Sequence, residues 1–358
     1  MTKRYFQITL FSYLVALFYL SITTPITAHE AKLLYASENI ASYLMHLGEN
    51  LPIGFLGIRL FSLTFGALSM VLFYQLAQLY FKKSTDVYFA TLIFILLPAI
   101  VTAAILANVA VIALFFVLLF VLLYEKGYTS FLPLVMLGLF FVHDASIVLY
   151  SAVLLYAIAY REKRLALFAL GFVLASIYFA KGIEIGGGPV GHFVETFGLY
   201  ATVFSPLLFI YFFYTMYRIL LKEEKSLIWY ISFVALVFSL LLSIRQRVYI
   251  TDFAPYLMIA VIPMVDLFNR TIGVRLPEHR KWHRYGLRVV VSFLMFSFLI
   301  ILSHKVLFFV WNNPKKHFAY RAYEPYFFAQ KLKEKGIGCY DGVEQYQLRY
   351  YGLTPCHK

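Results

Sequence analysis

The segment "TTPITAHEAKLLYASENIASYLMHLGE" (residues 23–49) follows the first apolar run of the chain and precedes the second. Thr27 and Glu30 have the Thr-x-x-Glu spacing of a helix capping box. Apolar residues then recur at helical spacing as far as Gly48, where glycine is expected to end the helix. The pattern predicts one amphipathic helix within residues 23–52 that lies in the membrane interface and does not cross it.

The composition points to a membrane protein. Of the 358 residues, 62% are hydrophobic and only 14% are charged, whereas about a quarter of the residues of a soluble domain are charged. The net charge of +13 is spread over short clusters between apolar runs, as topology signals are. This distribution argues against a nucleic-acid-binding protein and predicts an all-α polytopic membrane protein.

A membrane span needs roughly twenty mostly apolar residues, or fewer inside a bundle. By this criterion the sequence predicts eleven spans. They cover residues 6–22, 56–80, 87–103, 105–123, 131–142, 145–160, 165–180, 199–219, 227–244, 254–268 and 288–311.

The basic residues predict the orientation of these spans. With a cytoplasmic N-terminus, seventeen Lys and Arg fall on the inner side and five on the short outer loops, which agrees with the positive-inside rule. We therefore expect an inner-membrane protein with the N-terminus inside and the C-terminus outside. The outer side would hold residues 23–52, the loop 180–198 and the C-terminal segment.

The chain is predicted to divide into a transmembrane domain, residues 1–311, and a small extracytoplasmic α/β segment, residues 312–358. Both cysteines of the chain, Cys339 and Cys356, lie in that segment. Because the predicted compartment is oxidising, we expect them to form a structural disulfide.

The order of the segments resembles a known family. His29-Glu30 opens the first outer segment, and Arg59 follows within "GIRLFSLTFGALSM". Arg247 and Tyr249 lie in "RQRVYITDFAPYLMIAVIP" near the end of the predicted bundle. Together these features resemble the GT-C superfamily of membrane glycosyltransferases, in particular the protein O-mannosyltransferases and the lipid A aminoarabinose transferase. The resemblance implies a sugar donor linked to polyprenyl phosphate, and a lipid, glycan or protein acceptor.

The resemblance also implies a catalytic position. In the family, the first acidic residue of the pair is the base that activates the acceptor, and here His29 stands in its place beside Glu30. The unperturbed pKa of histidine, about 6.5, suits proton abstraction near neutral pH. A second acidic residue of the family, at the start of the fourth span, corresponds to Asn108. His29 and Glu30 are the predicted catalytic residues, and the departures favour a divergent or non-catalytic relative as the alternative.

The leaving phosphate requires cations, because negative charge develops on it as the glycosidic bond breaks. Arginine binds phosphate through bidentate hydrogen bonds. The alternative interpretation is that cations at span ends only reach the lipid head groups. The predicted substrate-binding residues are Arg59, Lys181, Arg245, Arg247, Tyr249 and Asp144.

A divalent cation is a further hypothesis. His143, His192 and Glu195 lie on the predicted outer side, and imidazole with carboxylate suits Zn²⁺ or Mn²⁺. The competing interpretation is ordinary loop polarity. A transporter or flippase is the alternative from another functional class, but the predicted spans hold few charges and show no hydropathy repeat.

Overall fold

The computed structural model describes residues 3–179, 191–274, 276–310, 315, 317, 319–340 and 345–356. The chain is 82% helical, and its only regular strands within the described residues are two strands of two residues each. The prediction of an all-α architecture is confirmed.

The helices are α1 (Lys3–Thr23), α2 (Ala28–Ala36), α3 (Ile40–Glu49), α4 (Phe55–Tyr80), α5 (Ser84–Leu96), α6 (Pro98–Ile105), α7 (Val109–Glu125), α8 (Leu132–Val142), α9 (Ile147–Ala159), α10 (Lys163–Tyr178), α11 (Phe193–Phe204), α12 (Pro206–Lys222), α13 (Leu227–Ser243), α14 (Ala254–Leu257), α15 (Val261–Val274), α16 (Pro277–Leu302), α17 (His304–Val310), α18 (Tyr320–Glu334) and α19 (Tyr346–Tyr350). The strands are β1 (Cys339–Tyr340) and β2 (Thr354–Pro355). Short 3₁₀ turns cover Thr129–Phe131, Asp144–Ser146, Ile250–Asp252 and Met258–Ala260.

The chain is an integral membrane protein. Four helices in its described part are long and apolar enough to cross a membrane, and counting each of two sharply bent helix pairs as one span gives up to six. Four shorter apolar helices, 10–17 residues long, complete this set. Within the described residues, each of the eleven predicted spans overlaps a helix or a run of adjoining helices, while the number of crossings stays a prediction.

Two predicted spans are bent at prolines. The helices α5 and α6 meet at 62° next to Pro98, and α11 and α12 meet at 107° next to Pro206. Proline disfavours the helical conformation of the residue before it, and Ser205 leaves the helix with a φ of 81°. The predicted span over residues 199–219 is therefore built from two helices with a sharp bend between them, and whether it crosses the membrane stays a prediction.

The 23–52 segment holds two helices, not the single helix that the sequence predicts. The capping box is confirmed, because the Thr27 side chain accepts from the Glu30 amide and the Glu30 carboxylate accepts from the Thr27 amide. The break comes at Ser37–Asn39, where the Asn39 side chain accepts a hydrogen bond from the amide of Ser42 and caps α3. An Asn in this role competes with helix continuation, which explains the error.

The chain divides into two compact units. The larger unit comprises Met1–Ile8, Phe65–Thr102 and Val109–Phe298. Its buried core includes α7, α9, α13 and the stretch from Phe253 to Val265. The most apolar window of α16 is only 6% buried, as expected for a helix whose surface faces lipid.

The smaller unit comprises Thr9–Thr64, Ala103–Asn108 and Leu299–Lys358. Its C-terminal part is held by the predicted disulfide between Cys339 and Cys356 and by the parallel pairing of β1 with β2. This part packs on the 23–52 segment. The Gln347 amide donates to the carbonyl of Ile26 over 3.0 Å, and the Arg349 guanidinium lies 4.6 Å from the ring centre of Tyr35.

The helices α3 and α4 cross at two glycines. A Cβ atom on Gly48 would lie 2.0 Å from the carbonyl oxygen of Gly57, and one on Gly57 would lie 2.3 Å from that of Gly48. Only hydrogen side chains permit this approach, because the obstacle is backbone that cannot turn aside.

We expect Gly48→Ala to lower the stability of the protein in detergent, because the backbones of α3 and α4 must separate. Overpacking of this kind costs about 1–3 kcal/mol. Gly171→Ala in α10 is the matched control, since a Cβ atom there meets nothing within 4 Å. Thermal unfolding of the purified variants tests the expectation, and equal melting temperatures for the two would contradict it.

Candidate functional site

The smaller unit contains a buried ion pair between Glu30 and Arg59. Arg59 donates from Nε to Glu30 Oε1 and from Nη2 to Glu30 Oε2, each over 2.7 Å. Its Nη1 donates to the carbonyls of Ser21 (3.0 Å) and Thr24 (2.6 Å), and Nη2 donates to that of Pro25 (3.0 Å). A guanidinium has five N–H donors, so every donor of Arg59 is used.

The carboxylate of Glu30 is saturated in the same way. Besides Arg59, Oε1 accepts from the amide of Ala107 over 2.8 Å. Oε2 accepts from the amide and the hydroxyl of Thr27, each over 2.9 Å. Burial alone would raise the pKa of Glu30, but Arg59 and the amides of Ala107 and Thr27 outweigh it and hold the pKa below its ordinary value.

This geometry argues against two of the predicted roles. The side chains of Glu30 and Arg59 are both 0% exposed. A base needs a free oxygen within reach of the proton it accepts, and a phosphate ligand needs unused donors. Glu30 and Arg59 are therefore better explained as structural residues, while the neighbouring His29 is exposed.

A second polar cluster lies in the larger unit, around the turn between α8 and α9. The hydroxyl of Tyr256 donates to the carbonyl of Ala145 over 3.2 Å and lies 3.1 Å from His143 Nδ1. His143 Nε2 lies 4.0 Å from Oδ1 of Asp252. The cluster thus joins the α8–α9 turn, the 3₁₀ turn Ile250–Asp252 and the start of the last buried helical stretch.

The two titratable groups of this cluster are shifted in ways that burial explains. Burial lowers the pKa of His143 to about 4, so its ring is neutral at physiological pH. Burial, followed by the nearby charge of Asp144, raises the pKa of Asp252 to about 6, against a weaker opposing hydrogen bond from Thr251. Asp252 is a carboxyl group poised to exchange a proton close to neutral pH.

A third group of polar side chains lies at the start of α11. Glu195 bridges two of the predicted residues, with His192 Nδ1 at 3.1 Å from Oε2 and Arg247 Nε at 3.0 Å from Oε1. The Arg247 side chain is 67% exposed. Backbone hydrogen bonds from Gly191 and His192 to the end of α13 hold this region in place.

The other predicted residues lie closer to the surface. Arg245 and Asp144 are exposed, Asp144 near the second cluster, and Tyr249 is 73% exposed. Lys181 lies outside the described residues. In the part of the chain that the structure describes, no three His, Cys, Asp or Glu side chains converge in a way that could hold a metal ion. The divalent cation stays a prediction.

Two residues of the second cluster, Asp252 and Tyr256, were not predicted from the sequence. Asp252 could have been identified from the sequence, because it is an acidic residue directly before an apolar run, where an ionisable group is costly and often has a functional role. Tyr256 gave no such signal, because a tyrosine within a span is ordinary core.

The fold and these clusters define a helical membrane protein with a pair of short helices after its first long apolar helix and polar residues at the loop ends of its later helices. No protein-family model matches the chain, and no curated protein matches its sequence.

Solved structures do match. The structure of ArnT from Cupriavidus metallidurans bound to undecaprenyl phosphate aligns over 100% of this chain and 87% of its own, with a TM-score of 0.63 and 11% identity. The apo structure of the same protein aligns over 98% and 85%, with a TM-score of 0.59 and 12% identity. ArnT is a GT-C lipid A aminoarabinose transferase. The chain therefore shares the fold of ArnT along its whole length, as the resemblance found in the sequence leads one to expect.

We expect Glu30→Gln to destabilise the protein, because it leaves the Arg59 charge buried without a counter-charge. Breaking such a pair costs about 3–5 kcal/mol. The depressed pKa of Glu30 means that this stabilisation is present above the unfolded-state pKa of Glu and is lost as the pH falls through the lower folded-state pKa. The difference between wild type and variant should therefore shrink in acid.

Denaturant unfolding of the variants in detergent measures this difference. Glu38→Gln is the matched control, since Glu38 is exposed in the same segment. A Glu30→Gln protein that is as stable as wild type at neutral pH would show that the ion pair is not a structural requirement.

Proposed function

We propose that this protein transfers a sugar from a polyprenyl-phosphate-linked donor to a lipid, glycan or protein acceptor at the outer face of the inner membrane. The observation that carries the proposal is the fold shared along the whole chain with ArnT, whose structure holds undecaprenyl phosphate. A fold of this kind supports a lipid-phosphate ligand, and the polar residues of the larger unit supply groups that such a ligand needs.

The phosphate group would be bound by Arg247, with Arg245 beside it in sequence. Arg247 pairs with Glu195 at an exposed position, and exposed ion pairs are worth only about 0–1 kcal/mol. A phosphate can therefore compete for this guanidinium at little cost. The structure shows no further hydrogen bond from Arg247 to a described residue, so donors are available for bidentate binding.

The predicted topology supports this placement. Residues His143, His192 and Arg247 all fall on the outer side when the N-terminus is cytoplasmic. The disulfide between Cys339 and Cys356 fits an oxidising compartment on that side. The lipid carrier of a donor would then present its phosphate and sugar to the residues at the outer ends of the helices.

A non-catalytic relative that binds the lipid carrier is the second candidate. One observation favours it: the position of the acceptor-activating acid is occupied by the exposed His29, and the adjacent Glu30 is fully engaged by Arg59. The two candidates differ in turnover and agree on binding of the lipid phosphate.

Transfer of labelled sugars from a panel of undecaprenyl-phosphate donors, with the full chain in proteoliposomes, tests the proposal. We expect turnover by wild type. We expect Arg247→Ala to weaken the use of donor by about 10–100-fold, because a hydrogen bond to a charged group is worth about 1.5–3 kcal/mol. Arg164→Ala is the matched control, since Arg164 is also exposed and belongs to a predicted inner loop.

The remaining outcomes separate the candidates. Binding of undecaprenyl phosphate without transfer of any sugar would support the non-catalytic relative. Absence of both binding and transfer would contradict the proposal and favour the alternative of a transporter or flippase. An equal loss in Arg247→Ala and Arg164→Ala would remove Arg247 from the site.

A further inference from the structure

The proposed transfer lacks a base in the position that the family resemblance implies. Glu30 cannot accept a proton without losing its bonds to Arg59, Ala107 and Thr27. The larger unit, however, contains the carboxyl group of Asp252, whose side chain is 31% exposed and lies against the buried ring of His143.

The hydrogen bonds determine how the ring of His143 is protonated. A tyrosine hydroxyl has one proton, and the hydroxyl of Tyr256 donates it to the carbonyl of Ala145. This hydroxyl also lies 3.1 Å from His143 Nδ1, and both contacts are hydrogen bonds only when Nδ1 carries the ring proton and donates it to the hydroxyl. In the neutral ring the other nitrogen, Nε2, has no proton, and this nitrogen faces Asp252 at 4.0 Å.

His143 therefore stands beside Asp252 as a neutral group. It does not supply a positive charge that would fix the carboxyl group in its ionised state, and it does not donate a proton to it. The position of the ring is fixed on both sides, by the hydrogen bond to Tyr256 and by burial, with 6% of its side chain exposed. Asp252 thus lies next to a buried, uncharged ring, and 31% of its side chain is exposed.

The charged and titratable groups around Asp252 come from three neighbouring elements. Asp144 faces it from the α8–α9 turn and raises its pKa. Tyr200 from α11 and Tyr256 from α14 both lie close enough to interact electrostatically with Asp252. Tyr200 also donates a hydrogen bond to Ser239. Among the described residues, the neutral ring of His143 is the one basic group within ion-pair distance of Asp252.

We propose that Asp252 is the general base of the transfer reaction, and that His143 and Tyr256 are positioning residues that act through it. This inference rests on the proposed function and adds the residue that would activate the acceptor. The substrate it implies is an acceptor with a hydroxyl group that reaches the 3₁₀ turn Ile250–Asp252.

The atoms and electrons of this step balance. The acceptor oxygen forms a bond to the anomeric carbon of the donor while its proton passes to the carboxylate of Asp252. The bond between the anomeric carbon and the phosphate oxygen breaks, and its electron pair leaves with polyprenyl phosphate. Asp252 then releases the proton to water through its exposed side, which restores the carboxylate for the next cycle.

The test compares Asp252→Asn with wild type in the same proteoliposome assay. We expect kcat to fall by about 10²–10⁴-fold, the usual contribution of general acid–base catalysis. Binding of undecaprenyl phosphate and the melting temperature should be unchanged. Asp86→Asn is the matched control, because Asp86 lies at the start of α5, in a predicted inner loop, and we expect its activity to equal that of wild type.

The pH profile supplies a readout that a merely structural role would not move. Because the base must be ionised, transfer by wild type should fall as the pH decreases through about 6, the pKa of Asp252. Asp144→Asn removes a like charge and should move this limb to lower pH. Tyr256→Phe frees the His143 ring to place an N–H toward Asp252, which should also move the limb to lower pH.

Asp252→Glu keeps the carboxylate, so it shows whether a loss of activity in Asp252→Asn comes from the missing carboxylate or from a folding defect. We expect it to retain part of the transfer activity with a displaced pH limb. Wild-type turnover together with an Asp252→Asn kcat within a few-fold of it would overturn the inference and leave the proposed function standing. Absence of any transfer by wild type would overturn both.

Discussion

The carboxylate of Glu30 and the guanidinium of Arg59 hold together the parts of the smaller unit that no regular secondary structure connects. A helix leaves its last carbonyls without partners, and Thr24 and Pro25 lie in the connection between α1 and α2. Arg59 supplies donors to the carbonyls of Ser21, Thr24 and Pro25, so this connection can be buried. Glu30 neutralises the charge this requires.

The same carboxylate connects two further pieces of the unit. Its bonds to Thr27 close the capping box that begins α2, and its bond to the amide of Ala107 fixes the 103–108 stretch. One acidic side chain thus sets the start of a helix, satisfies a buried cation and holds a distant loop. Every bond that this carboxylate makes satisfies a buried partner, so its loss would leave several buried polar groups unpaired.

The sequence predicts local features of this arrangement well and long-range ones poorly. The capping box of Thr27 and Glu30 follows from residue types and spacing, and the pairing of the two cysteines follows from their number and the predicted compartment. The break at Asn39 did not, because an Asn within an apolar periodicity is also compatible with a continuous helix. The partnership of His143 with Tyr256 joins residues 113 positions apart, and no local pattern specifies such a contact.

The environments of Glu30 and Asp252 explain why two carboxyl groups of one chain differ in what they can do. Desolvation acts on both. At Glu30 a cation and backbone amides overcome it and lock the ionised form. At Asp252 the neighbour is a neutral histidine and a second carboxylate adds repulsion, so the proton affinity rises. The neighbours of a carboxyl group therefore decide whether it keeps a fixed negative charge or exchanges a proton close to neutral pH.

The contact between the two ends of the smaller unit constrains the topology of the whole chain. Because Gln347 bonds to the carbonyl of Ile26, the C-terminal segment and the 23–52 segment lie on the same side of the membrane. With α1 as a span, the start of the chain would lie on the other side, so an odd number of crossings is expected. Five long spans, which is four plus one of the two bent pairs, would satisfy this parity, as would a larger odd number that includes shorter apolar helices. The eleven spans predicted from hydropathy satisfy this parity, and they satisfy it with the orientation that the basic residues independently favour.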